Sequence, residues 1–148
     1  MKQAVPTPLF KKLNLGEHTE IAVFDAPDSF EPELKRLSGV KITRNPNKPE
    51  AIKFGLAFAI TQAQLDRFSK ILTAAAEGDA VLWFAYPKGT SKRYRCEFNR
   101  DTGWSVLRAA GFDTVRSVAI DEDWTGLRFR RREYVKSAAH REQGQKRK

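Results

Sequence analysis

Lys88, Lys92, Arg93, Arg95 and Arg100 crowd into one short stretch whose only acid is Glu97. Cations at that density can hold a phosphate or another anion. Lys88-Gly89-Thr90-Ser91-Lys92 adds backbone amides beside a glycine, which suits an anion cradle. The spacing is not that of a P-loop, so nucleoside triphosphate binding has no support there. The same charges also suit a solvated loop that touches nothing. A second basic group follows at Arg128, Arg130, Arg131 and Arg132. On a strand, Arg130 and Arg132 would share one side and Phe129 with Arg131 the other. Nonspecific nucleic-acid contact asks for little more than such cations, and a solubilising basic tail asks for no partner at all.

Other residue types offer weaker chemistry. Asp121, Glu122 and Asp123 bring three carboxylates together, but further oxygen ligands at alternate spacing are missing. A hairpin turn uses aspartate in the same way. His18 and His140 each stand alone, without a second histidine or a cysteine at ligand spacing, so no metal site is expected. Cys96, beside Arg95, could carry a lowered pKa, but no histidine lies nearby to make it a nucleophile. Trp83, Trp104 and Trp124 can stack on a base, and each equally fits a core. The turn after the first expected strand, Asp25-Ala26-Pro27-Asp28-Ser29, has no glycine. Backbone could not approach a pyrophosphate or adenosyl group there, so no nucleotide cofactor is expected and no catalytic residue is assigned.

These residues need elements to hold them. Ala80 to Tyr86 is an unbroken apolar run with aromatic and β-branched bias, the pattern of a central strand buried on both faces. It leads directly into Pro87-Lys88-Gly89, so the basic loop should hang from the carboxyl edge of the sheet. If the turns at 25–29 and 121–123 share that edge, then Asp25, Asp28, Lys88, Asp121 and Trp124 border one crevice. An anion would meet Lys88, Lys92, Arg93, Arg95, Arg130 and Arg132.

At 148 residues the chain has the size of one domain. No apolar run reaches the ~18 residues of a membrane span. The first residues carry no apolar signal-type segment, and a single cysteine excludes an internal disulfide; a cytoplasmic location is the expectation. The formal charge of +9 is uneven. Residues 128–148 hold nine basic and two acidic residues, and 88–100 hold five and one. The rest of the chain is close to neutral, so an anionic partner would be met at the loop and the tail.

Along the chain, Thr7-Pro8 starts a short helix to Asn14, and Glu20–Asp25 is the first strand. Phe30, Leu34 and Leu37 mark a second helix closed by Gly39. Val40–Thr43 is a short edge strand, and 44–50 is a proline-containing loop. Large and small residues alternate over Ala51–Ile60, a strand whose small face lets a helix approach. Thr61 and Gln64 form a capping box for a helix over 62–77 with Gly78 as its stop. Asp101 caps a further helix carrying Trp104, Leu107 and Ala110. Thr114–Ile120 and Leu127–Arg131 are the last strands, joined by the 121–123 turn. Residues 136–148 read as a frayed or disordered tail, outside a single domain over 1–135. The order predicts a Rossmann-like, three-layer α/β domain, its sheet mostly parallel with a C-terminal antiparallel hairpin. The seven-residue 44–50 segment is short for a parallel crossover. Either it returns in extended form, or the second and third strands pair antiparallel.

Residues 8–27, 80–94 and 117–133 together resemble a family of small bacterial proteins of unknown function. The resemblance rests on Leu9, Lys11, Lys12, Leu13 and Gly16, on Trp83, Pro87 and Lys88, and on Ala119, Asp121, Trp124, Thr125, Arg128 and Phe129. It implies a Rossmann-like domain similar to a shortened methyltransferase fold, and it carries over no activity, cofactor or catalytic residue. The expectation is a non-catalytic domain that binds an anionic partner, nucleic acid or a phosphate ligand, through loop and tail. The alternative is a methyltransferase-like enzyme or small-molecule binder using the carboxyl-edge crevice. A third possibility is an interaction module that pairs through an exposed edge strand, Val40–Thr43 or Leu127–Arg131.

Overall fold

The apolar run at Ala80–Tyr86 is the middle of the longest strand, and none of its residues is more than 6% exposed. It belongs to a six-stranded sheet in a computed structural model that describes residues 6–135. The strands are β1 (Glu20–Phe24), β2 (Lys41–Arg44), β3 (Ile52–Phe58), β4 (Ala76–Pro87), β5 (Phe112–Ala119) and β6 (Trp124–Arg131). Their order in the sheet is β2-β1-β3-β4-β6-β5. The pairs β1–β2, β1–β3 and β3–β4 are parallel, whereas β6 runs antiparallel to both β4 and β5. The expected tail over 136–148, with His140, lies outside the described residues.

Helices cover both faces, giving three layers. On one side α1 (Pro8–Lys12) and α2 (Glu31–Lys35, entered through a 3-10 turn at Asp28–Phe30) bring Phe10, Phe30 and Leu34 onto Ile21, Val23, Phe54, Leu56 and Trp83. On the other, α3 (Gln62–Ala75) and α4 (Ser105–Ala109) bring Leu65, Phe68, Leu72 and Leu107 onto Phe24, Ala57, Leu82, Phe84 and Phe129. Period two in β3 sorts its residues between these layers. Gly55 and Ala57 face α3, and a Cβ at Gly55 would stand 2.6 Å from Leu72 Cδ2. The small face therefore does admit a helix.

Local chemistry explains the helix starts. The Thr7 hydroxyl accepts from Phe10 N, with Pro8 at the first helical position. Thr61 and Gln64 make both halves of a capping box on α3. The tryptophans are core residues. Trp83 Nε1 donates to Leu13 O at 2.7 Å, pinning the end of α1 to the sheet, and Trp104 Nε1 donates to Asn99 O.

Of the two routes open to the proline-containing segment, the structure takes the return without strand pairing, so β2 and β3 flank β1 instead of pairing with each other. The structure departs from the pattern in three places. Gly78 does not close α3. That helix runs directly into β4 at Ala76, whose backbone is extended, and Gly78 sits inside the strand at φ +57. It serves a bulge: Ile52 and Phe54 of β3 pair with Ala76 and Val81 of β4, leaving extra residues on β4. Asp101 does not cap α4, which starts later at Ser105, because Gly103 at φ +99 breaks the backbone. Lastly, β6 is interior. Its two neighbours cover both its edges, so the free edges are β2 and β5, not Leu127–Arg131.

Candidate functional site

Strand order fixes where a ligand crevice should open. From β1 the chain moves to β2 on one side, and from β3 to β4 on the other. The switch point therefore lies between the carboxyl ends of β1 and β3. Asp25 stands there in the left-handed region at φ +51, and Asn45, at the end of β2, shares that conformation at φ +48. Aspartate and asparagine tolerate it better than other non-glycine residues. The two residues are coupled: Asp25 N donates to Asn45 Oδ1 at 2.8 Å.

Polar side chains gather around this turn. Gln64 Oε1 accepts from Ile60 N and Thr61 N, and its amide reaches Asp25 Oδ2 at 3.5 Å. Arg67 lies 3.8 Å from the same carboxylate. Arg44 makes a bidentate pair with Glu31 beside it, both contacts at 2.7 Å. That pair holds the Glu31 carboxyl below its ordinary range, through the hydrogen bond first. Asn45, Arg67 and Arg44 were not singled out from the sequence, and Gln64 only as a capping residue. The signal for the other three was position at the end of a strand or in the first turns of a helix.

Lys88 leaves β4 on this same carboxyl edge, two strands from Asp25 and three residues further along the register, about 14 Å in all. The hairpin turn is there too. Asp121 Oδ1 accepts from Asp123 N and Trp124 N, which is turn chemistry and not metal ligation. Among the described residues no group of carboxylates, imidazoles or thiols could hold a metal ion. Asp28 opens the 3-10 turn and is exposed. Trp124 is 3% exposed and packs on Phe58 and Tyr94, so its ring lies in the core and does not line a crevice.

The basic loop between β4 and α4 is tethered from inside. Phe98 and Trp104 pack edge-on at 5.4 Å, and both meet Tyr86. Glu97 is exposed but engaged, its Oε1 accepting from Gln62 N at the start of α3. Ser91 donates to Asp123, and Arg93 lies 3.8 Å from Asp123. Lys92, Arg95 and Arg100 are exposed and Lys88 is half-buried. None of these four has a carboxylate partner among the described residues. Cys96 inside this loop has its pKa raised, by burial first, despite the neighbouring Arg95. The lowered value that the neighbour suggested is not found, because lost solvation outweighs it.

Arg130 and Arg132 are separated from the loop. Because β6 runs antiparallel to β4, they lie at the amino edge of the sheet. Arg130 makes a bidentate pair with Asp79 in the β4 bulge, at 2.7 and 2.8 Å. Arg132 is paired with Asp113 at 3.1 Å. Arg131 donates to the carbonyls of Ala76 and Gly78. Arg130 and Arg131 therefore tie down the bulge and Arg132 holds the start of β5, instead of facing a ligand together with Lys88.

The amino edge also holds a cleft of about 670 Å³, between the starts of β1 and β3 and under the 45–51 return. Glu17, Glu20, Glu50 and Glu77 line it, with Ile21, Ala22 and Ile52 as apolar wall. Half-buried His18 lies there as well; burial first, then Lys53, lowers its pKa.

No family model and no curated protein matches the chain. Solved structures do. A S-adenosylmethionine-dependent methyltransferase from Aquifex aeolicus is similar at TM-score 0.56 and 13% identity, over 82% of this chain and 87% of that one. The N-methyltransferase NodS from Bradyrhizobium japonicum is similar at 0.53 and 14%, over 83% and 92%. Magnesium protoporphyrin IX methyltransferase from Synechocystis is similar at 0.52 and 12%, over 83% and 78%. The fold is methyltransferase-like. At such low identity the likeness concerns the fold alone. Within this methyltransferase-like scaffold, the switch-point turn has no glycine, Pro27 lacks an N–H, and the Asp25 N–H is already taken by Asn45.

Proposed function

We propose that this protein is a non-catalytic binding domain that takes an anionic partner, foremost a nucleic-acid backbone, on the loop between β4 and α4. One observation carries the reading. Lys88, Lys92, Arg95 and Arg100 have no carboxylate partner, while the acid among them, Glu97, is committed to the start of α3. Elsewhere several surface arginines are paired, as at Glu31–Arg44, Asp79–Arg130 and Asp113–Arg132, and those without a carboxylate, Arg108 and Arg116, stand singly instead of clustered in one loop. Cations left free on a tethered loop are suited to phosphates, whose recognition depends on charge and releases counterions. The site residues of this reading are Lys88, Lys92, Arg95 and Arg100, with Arg93 shared with Asp123. Arg130 and Arg132 drop out, since each already has a carboxylate. The resemblance to small bacterial proteins of unknown function and a cytoplasmic setting accord with this reading.

Filter-binding titrations of the full chain against a short duplex, across a range of salt, test it. Affinity should fall steeply with salt. Changing Lys92→Gln and Arg95→Gln together should flatten the slope of log K against log salt by roughly 1–2, about 0.9 per lost phosphate contact. Affinity that ignores salt, or a double variant with the parent slope, would overturn the reading.

A methyltransferase-like enzyme or small-molecule binder is the competing reading, favoured by the fold likeness. Its site would be the switch-point crevice, with Asp25, Asp28, Lys88 and Asp121 around it. Bound adenosyl ligand at 100 times its Kd stabilises a protein by about 2.7 kcal/mol. A clear thermal shift with S-adenosylmethionine would favour the enzyme. The glycine-free turn and the engaged Asp25 N–H lead us to expect none.

A further inference from the structure

The loop between β4 and α4 carries an aromatic ring as well as its cations. We infer that the partner of this loop is a single strand of nucleic acid, one base of which stacks on Tyr94; this names the class of partner and rests on the reading just given. Tyr94 stands between Arg93 and Arg95, with Lys92 one residue further, and all three cations are exposed. A ring interleaved with cations suits a single strand, whose phosphates meet the charges while a base lies on the ring.

The neighbouring indole is a second and separate observation. Trp124 packs on Tyr94 at 5.1 Å and is only 3% exposed, yet its Nε1 is buried without a hydrogen-bond acceptor among the described residues. Trp83 and Trp104 both donate to backbone carbonyls, as a buried indole N–H ordinarily does. The Trp124 N–H is therefore a donor in need of an acceptor, beside the ring that the loop cations flank. The two rings are inclined at 56°, so a base lying flat on Tyr94 meets the indole obliquely and can offer it a carbonyl.

The backbone allows Tyr94 to turn outward for this. Ser91 N donates to Lys88 O and Glu97 N to Ile60 O, which fixes both ends of the segment. Between them, Lys92 to Cys96 make no backbone–backbone hydrogen bond among the described residues, and Tyr94 N reaches the Ser91 hydroxyl at 3.3 Å. A duplex cannot use such a ring, because its bases are already paired and stacked. Its grooves admit a helix or a two-stranded ribbon, and residues 88–104 form neither, pairing among themselves at the isolated bridge Asn99–Thr102.

Anisotropy titrations of the full chain at low salt, with oligothymidylate and with an abasic phosphodiester strand of equal length, test the inference. The two strands carry the same charge and differ in the bases. Oligothymidylate should bind tighter by about tenfold, the order expected for a stacked base. Tyr94→Leu should bring it close to the abasic strand, whereas Tyr94→Phe should keep the difference. Trp124→Phe, which removes the N–H and retains a ring, should reduce it. Equal affinity of the parent chain for the two strands would overturn the inference and leave the charge-based reading standing. So would a Tyr94→Leu or Trp124→Phe chain of parental thermal midpoint that keeps the full difference. Absence of salt-dependent binding to either strand would remove the charge-based reading, and this inference with it.

Discussion

Trp83 does two jobs with one side chain. Its ring is fully buried between β4 and the first helical layer, and its N–H donates to the carbonyl at the end of α1. Trp83→Phe would leave Leu13 O buried without a donor and open space beside it. A loss of about 2–4 kcal/mol is expected in urea unfolding, since an orphaned buried polar group and a packing defect add. His18 gives a different kind of prediction. Its folded pKa lies below the ordinary value near 6.5. As pH falls below that value, the unfolded chain takes up the proton first, so stability declines until the folded imidazole is also protonated. Lys53 faces the imidazole with its partner Glu77, and Glu17, Glu20 and Glu50 surround the same cleft. Urea midpoints measured from pH 8 to 5 should show that decline in the parent and not in His18→Gln. Parallel profiles for the two proteins would contradict this assignment.

Between elements, the tightest approach is β3 against α3. A Cβ at Gly55 would meet Leu72 Cδ2 at 2.6 Å and Leu82 Cδ2 at 3.4 Å. Gly55→Val should therefore cost about 1–3 kcal/mol by overpacking. Leu72→Ala alone should also destabilise, by about 2–5 kcal/mol for the cavity. In combination the costs should fall short of additive, because the cavity accepts the new side chain. Simple additivity in urea unfolding would show that the strand and helix do not meet there. Such contacts also mark what could be read from the chain. The alternation of β3 announced a small face, the apolar run of β4 its central place, and Thr61 with Gln64 the start of α3, since each signal is local. The turn chemistry of Asp121 was local too. The bulge at Gly78 was not legible, because it arises from the register of β4 against β3. Nor was the fate of Arg130, whose partner Asp79 is 51 residues away and reaches it only because the bulge carries it to the edge. At the candidate site, Asp25 and Lys88 could be placed on one edge from the alternation of strands and helices. The side chains that gather around Asp25 came from elsewhere in the sequence, Gln64 from 39 residues on.

At the scale of the molecule, two basic groups that look alike in sequence have separate duties because β6 runs antiparallel to β4. The loop cations leave from the carboxyl edge, and Arg130 and Arg132 are held at the amino edge by Asp79 and Asp113. The pair with Asp79 keeps that carboxyl below its ordinary range, through the Arg130 hydrogen bond first. Its contribution is thus present above the unfolded carboxylate pKa and lost as pH falls through the folded one. Arg130→Gln should cost about 0.5–1 kcal/mol near pH 7, the bidentate geometry raising it above a typical surface pair and partial exposure limiting it. The cost should vanish at a pH where Asp79 is protonated in both states. On binding, the division of labour predicts the reverse of the loop variants. Arg130→Gln combined with Arg132→Gln should lower the urea midpoint yet leave the salt slope of nucleic-acid binding where it was. A phosphate contact made by either arginine would instead reduce the slope by roughly 0.9 for each one lost. The two pairs of variants, measured side by side, distinguish an edge that binds from an edge that braces the sheet.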